Sequence, residues 1–137
     1  MESSFRDREN AKQLIDFGGL KYGRCSPTDI DLTIEWRGLT FVFVEIKRRG
    51  TPLTLGQKLF LENVVKAINE SGKHAVALFA EHDGIPVEQD IMAADTQVVN
   101  AYGSEEKWVN LREHKYSLQQ YLQKIYLHHL DRNDLRY

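Results

Sequence analysis

The stretch Asp29-Ile30-Asp31-Leu32-Thr33-Ile34-Glu35-Trp36, followed by Arg37-Gly38 and by Leu39-Thr40-Phe41-Val42-Phe43-Val44-Glu45-Ile46-Lys47, decides the fold. In its first part polar and apolar residues alternate strictly, the period of a strand with one buried face. Arg37-Gly38 is a turn signal. The second part is β-branched and aromatic and predicts a strand buried on both faces. The short connection makes the two an antiparallel hairpin.

Downstream, Lys47-Arg48-Arg49-Gly50 opens a basic loop, and Thr51-Pro52 interrupts the pattern. Thr54 and Gln57 have capping-box spacing, and Phe60, Leu61, Val64, Val65 and Ile68 form the stripe of the helix that follows. That helix is expected to stop near Ser71-Gly72. His74 to Ala80 reads as a third strand, and residues 81–95 as loop. Thr96 to Tyr102 and Glu106 to Leu111 read as accessory strands. Ser117, with Gln120 as box partner, starts a last helix with Leu118, Tyr121, Leu122, Ile125 and Tyr126 inward, ending in a frayed tail from Asp131. Upstream, Ser4, Asp7, Ala11, Leu14 and Ile15 predict a helix over residues 4–16, closed by Gly18-Gly19. Leu20 to Arg24 is read as a short strand. The order predicts an α/β fold, a mixed sheet flanked by helices, in one domain spanning 1–137.

The bulk properties set bounds. A chain of 137 residues, 42% hydrophobic and 28% charged, is long enough to bury a continuous core. Cys25 is the single cysteine, so an intrachain disulfide is excluded. No apolar run approaches the roughly 20 residues of a membrane span, and the N-terminus lacks an apolar signal core. These features predict a cytoplasmic protein with no membrane partner. The formal net charge of −2 does not advertise a nucleic-acid binder, although binding depends on local charge. None of the five histidines has metal-site spacing.

The chemistry-bearing residues cluster in the hairpin. Glu45 and Lys47 are two apart and share a strand face, as do Asp29 and Asp31. Whether the two sets meet depends on the register. A two-residue turn at Arg37-Gly38 pairs Asp31 with Val44 and puts the acids on opposite faces. A three-residue loop, Arg37 to Leu39, pairs Asp31 with Glu45 and Asp29 with Lys47, whereas a loop at Trp36 to Gly38 pairs Asp29 with Glu45. If the faces match, two or three carboxylates and an ammonium gather at one sheet end. Clustered carboxylates call for a cation, and hard oxygen ligands suit Mg²⁺ or Mn²⁺. A protonated Lys47 is no ligand, but it can stabilise charge on a phosphoryl group or orient water. This is equipment for metal-assisted phosphodiester hydrolysis.

Ser26-Pro27-Thr28-Asp29-Ile30-Asp31-Leu32 with Val44-Glu45-Ile46-Lys47 resembles the PD-(D/E)XK nuclease superfamily. That signature is an acid on one strand and acid-x-Lys on the next. The resemblance covers residues 5 to 80 and includes a Gln in the following helix, here Gln57, as in the virus-type replication-repair and Holliday-junction-resolvase-like branches. It implies a restriction-endonuclease-like αβββαβ core with a C-terminal helix added. It also implies a divalent metal held by Asp31 or Asp29, Glu45 and the Ile46 carbonyl, and a catalytic Lys47. Glu9 sits where some branches carry a further acidic ligand. The substrate implied is DNA, less often RNA, in a setting that fits a bacterial or phage-encoded protein. A bare core of this size is expected to form a homodimer or to work within a larger machine.

Plainer readings stand beside these. In the plainer and less favoured reading, Asp29, Asp31, Thr33 and Glu35 are the solvated face of an edge hairpin. Glu45 follows a buried run and is harder to explain without a partner. Gln57 is accounted for by its capping box as well as by catalysis, and Arg48 and Arg49 by a charged turn as well as by phosphate contacts. The alternative function is a catalytically inactive nucleic-acid-binding or assembly module on the same fold.

Overall fold

The computed structural model describes residues 15–84 and 89–135. Among them lie five strands, β1 Leu32–Trp36, β2 Thr40–Arg48, β3 His74–His82, β4 Gln97–Tyr102 and β5 Trp108–Asn110. Two α-helices accompany them, α1 Leu55–Glu70 and α2 Leu118–Arg132. The sheet order is β1-β2-β3-β4-β5. Only β2 and β3 are parallel, joined across α1, and the other neighbours are antiparallel. The chain is thus α/β with a mixed sheet, and no described helix is long and apolar enough to cross a membrane.

Each sheet face carries one of the two described α-helices. On the first, Leu61 and Val65 of α1 are fully buried against Ala75 and Ala77 of β3, with Phe41 and Phe43 of β2 beside them. Alanines on β3 let the helix lie close, and burying each large aliphatic side chain is worth about 1.5–3 kcal/mol. Phe60 is partly exposed but meets the Phe43 ring edge-on at 6.3 Å. On the second face, Leu118, Tyr121, Leu122 and Ile125 of α2 pack on Val42, Val44, Val76 and Leu78. Both helices begin with the expected capping box, Thr54 with Gln57 and Ser117 with Gln120. Asn69 extends α1 into the sheet, since its Oδ1 accepts from the Ala75 N–H at 2.9 Å.

The structure departs from the sequence reading at identifiable places. Leu20 to Arg24 is not a strand: Tyr22 and Cys25 bond each other across a tight turn, with Gly23 at φ 66°. Without that strand, the described residues before α1 supply two strands rather than three. The helix expected over 4–16, and Glu9 with it, lies outside the described residues apart from Ile15 and Asp16, which are not helical. The first hairpin strand starts at Leu32, so Asp29 and Asp31 precede it. On β2 Thr40, Val42 and Val44 of one face are fully buried, whereas Phe41 and Phe43 on the other are half-buried. The second accessory strand is shorter than expected, Trp108–Asn110. The last helix continues through Asp131 to Arg132, so the tail begins later than expected.

Where α2 ends, Thr40 Oγ1 lies 2.7 Å from His129 Nδ1, and both residues are buried. Trp36 covers the pair, its ring 5.6 Å from that of His129. Burial holds the His129 pKa below its ordinary value, helped by Arg37 and Arg132. Burial likewise lowers His74, at the start of β3, to about 4, helped by Arg132, His128 and His129. Both imidazoles therefore take up a proton less readily in the fold than in the unfolded chain, which protonates them near pH 6.5. Below that pH the unfolded state binds more protons, so stability falls as pH drops, and the His74 share is fully lost below about 4. Thermal melts at pH 7 and 4.5 should show a smaller acid loss in His74→Gln than in the parent chain.

Candidate functional site

The hairpin connection sets the site. Arg37 and Gly38 both adopt positive φ, 58° and 67°, and the Leu39 N–H donates to the Trp36 carbonyl at 2.9 Å. Leu39 is an additional residue, because Trp36 pairs with Thr40 rather than with Leu39. Of the three registers open to the sequence, this is the one with the loop Arg37 to Leu39. The ladder ends at Leu32↔Val44, and one further step puts Asp31 beside Glu45.

Asp31 is held there by a side-chain bond. Its Oδ2 accepts from the Ile46 N–H at 2.6 Å, taking the place a backbone carbonyl would have in a longer ladder. Aspartate is suited to this, being short and able to accept from a backbone donor. Thr33 and Glu35 are the solvated residues of the hairpin, as the plain reading has them. Asp31 is exposed but bonded to the next strand.

Glu45 is 4% exposed, and its Oε2 is buried without a hydrogen-bond partner. Its pKa is raised to about 8, first by burial, then by the hydrogen bond and charge of Asp31, against a lowering by Lys47 and with a smaller rise from Asp29. A buried carboxylate beside a second one, with an oxygen unsatisfied, is an expensive arrangement in an otherwise well-bonded interior. Lys47 is half-buried two residues further along the same face. The structure thus brings Asp31, Glu45 and Lys47 together at the C-terminal end of β2.

The remaining candidates take different places. Asp29 lines a cleft of about 580 Å³ with Gln57, between the segment from Arg24 and the start of α1. Gln57 Oε1 accepts from the Thr54 N–H at 3.1 Å. Only the oxygen is used, so capping orients the amide and leaves its NH₂ donors for the cleft: the two readings of Gln57 are compatible. Arg48 falls on the opposite side of the strand from Lys47 by alternation, with its guanidinium against Gly84, where an added Cβ would meet Nε at 2.9 Å. Arg49 Nε pairs with Asp83 Oδ1 at 2.7 Å, an exposed contact of small energetic weight.

Sequence reading missed Glu81 and Arg112. Glu81 on β3 is the register partner of Lys47, so it lies on the same face about 4.8 Å away across the strands. It is 5% exposed and takes both arms of Arg112, at 2.8 and 3.0 Å. Arg112 keeps Glu81 below the ordinary carboxylate range, while its own side chain is 46% exposed. The pair was invisible in sequence because the partners are 31 residues apart. A Glu ending an otherwise apolar buried run was the one available signal.

The residues fit a hard cation in part. Asp31 and Glu45 supply carboxylates and Ile46 a backbone carbonyl, and the unsatisfied Glu45 Oε2 is the observation in favour. Among the described residues no group of three or more His, Cys, Asp or Glu side chains is arranged to hold a metal. Mg²⁺ does not require one, since it is commonly held by one or two carboxylates with waters and substrate phosphates. In comparisons with known proteins, no family model matches the chain, and neither a curated protein nor a solved structure does.

The cost at Glu45 is measurable. Its folded pKa of about 8 lies above the 4.5 of the unfolded chain. Its stabilising protonation is therefore fully present below pH 4.5 and lost as pH rises through 8. In chelator-treated protein, Glu45→Gln should melt higher than the parent, by a margin that widens between pH 5 and 8.5. A margin independent of pH would assign Glu45 an ordinary carboxyl.

Proposed function

We propose that the chain is a Mg²⁺- or Mn²⁺-dependent nuclease of the PD-(D/E)XK type, with a restriction-endonuclease-like core, acting on nucleic acid and foremost on DNA. The single observation that carries this reading is the buried, unsatisfied Glu45 carboxylate beside Asp31, with Lys47 on the same face. A purely structural hairpin has no use for that juxtaposition, whereas a cation relieves it.

In this reading Asp31, Glu45 and the Ile46 carbonyl hold the cation, with Asp29 in support at the cleft. A bound divalent ion supplies Lewis-acid polarisation of a phosphoryl oxygen and a lowered pKa for water. Lys47 directs its ammonium to a non-bridging phosphate oxygen and offsets the charge that builds as water adds to phosphorus and the ester P–O bond breaks. The Gln57 NH₂ donors, aimed by the capping box, orient a phosphate oxygen or the attacking water. Arg112, anchored by Glu81, turns its exposed edge towards a neighbouring backbone phosphate, as a forked guanidinium suits. The site lies at the C-terminal ends of the parallel pair β2 and β3, the end at which open α/β sheets usually bind ligands.

Plasmid and labelled duplex, single-stranded and four-way-junction substrates test the reading with Mg²⁺, Mn²⁺ or chelator. Cleavage should require the metal. Asp31→Asn and Glu45→Gln should abolish it together with the metal-induced rise in Tm, and Lys47→Met should slow it by about 10²–10³-fold while metal binding persists. A metal-induced rise in Tm without cleavage of any substrate would favour the non-catalytic module.

The role of Arg112 has its own readout. Arg112→Gln alone strands Glu81, so the pair is best neutralised together. Glu81→Gln/Arg112→Gln should fold, weaken duplex binding and reduce the slope of log affinity against log salt by about one. An unchanged slope would leave the pair a tie between β3 and the turn after β5.

A further inference from the structure

Beside the acids, the segment from Arg24 to Asp29 and the first turns of α1 enclose the cleft of about 580 Å³. That volume lies in the range of sites that take a single small molecule. Asp29 connects the cleft to the acids: it lines the cleft, precedes Asp31 by two residues, and its charge reaches Glu45. An occupant of the cleft therefore lies next to the proposed reaction centre.

The lining suits a nucleobase better than a phosphate. Arg24 and Asp29 are the charged residues among those described there, one of each sign, and the other polar groups are neutral. The Ser26 and Thr28 hydroxyls and the Gln57 NH₂ donors match the edges of a base. Apolar surface comes from Leu59 and Phe60, which stay 48% and 38% exposed although the next residue, Leu61, is fully buried. Phe60 is braced by the Phe43 ring, and an exposed aromatic ring is a platform on which a base stacks. Gly56 is a second, separate observation. It sits inside α1, where glycine is the poorest helix former after proline. Its backbone is not left-handed, and an added Cβ would meet only Thr28 Oγ1, at 4.0 Å. Neither backbone nor crowding calls for glycine here, whereas a side chain would grow toward Thr28 and narrow the cleft.

We infer that this cleft receives one unpaired base of the substrate strand, beside the phosphate held at Glu45 and Lys47, so that single-stranded or interrupted DNA is selected over continuous duplex. This role rests on the nuclease reading, which supplies the phosphate next to it. A base inside a duplex must be unpaired and unstacked before it can enter such a cleft, and an already unpaired base is spared that cost. Phe60 and Leu59 replace the stacking neighbour, and the bare Gly56 leaves room for the ring.

Two measurements on the full chain test the cleft apart from the chemistry. The first needs no metal. Cys25, the single cysteine, is exposed in the cleft wall, so its rate of reaction with a thiol reagent reports occupancy. In chelator, a short oligothymidylate should slow Cys25 modification at least about fivefold, and a blunt duplex of the same length should not. Gly56→Leu fills the cleft while favouring the helix, so it should melt no lower than the parent and lose the protection. Phe60→Ala should weaken the protection. The second compares Mg²⁺-dependent cleavage of a duplex carrying one unpaired nucleotide with that of its fully paired counterpart. The parent should cut the former at least about tenfold faster, and both variants should bring the ratio close to one with the metal-induced rise in Tm unchanged. Protection by the single strand without cleavage of any substrate would retire the nuclease reading and keep the cleft as a site for an unpaired base. Absent protection, equal protection by the duplex, or metal-dependent cleavage with a ratio near one in the parent would each overturn the inference.

Discussion

The bond from the Ile46 N–H to the Asp31 carboxylate is the contact on which the arrangement of the acids depends. It forms only because Leu39 is an additional residue in the hairpin loop, which sets Trp36 against Thr40. A slip of one residue would move every side chain of β1 to the other face and part Asp31 from Glu45. The same register buries Leu32, Ile34 and Trp36 against the α2 side, so packing and chemistry select one pairing. The core thereby holds two carboxylates together that would repel each other if free to move.

Much of the architecture was legible in the sequence because it rests on local signals. Strict alternation from Asp29 to Trp36, the β-branched run to Val44 and two Ser/Thr-to-Gln capping boxes each place an element without tertiary information. The buried Glu45 was legible for the same reason, as a charge closing an apolar run. The hairpin register was not, since Arg37-Gly38-Leu39 is compatible with several loops. The choice is made by side chains that pack on helices far along the chain. Leu20 to Arg24 misled because its alternating apolar residues, Leu20 and Tyr22, have no sheet edge beside them and remain exposed. Glu81 with Arg112 was hidden because a long-range ion pair leaves no periodic trace.

The two ends of the sheet differ in charge. At one end carboxylates crowd at Asp31 and Glu45, with Glu81 satisfied by Arg112. At the other, burial and the nearby Arg132 hold His74 neutral, and Glu105 pairs with Lys107. The net charge of −2 conceals this separation, since the sum says nothing of the distribution.

The strand order has a consequence for how the molecule assembles. β1 with β2, and β3 with β4 and β5, are antiparallel meanders between sequence neighbours, whereas β2 meets β3 only across α1. Local pairings close cheaply and early; the parallel seam incurs the larger entropy of loop closure. Glu45 and Lys47 lie on one side of that seam and Glu81 on the other. The charged end of the sheet is thus completed by the least local pairing of the fold, since Glu81 reaches Lys47 only across that seam.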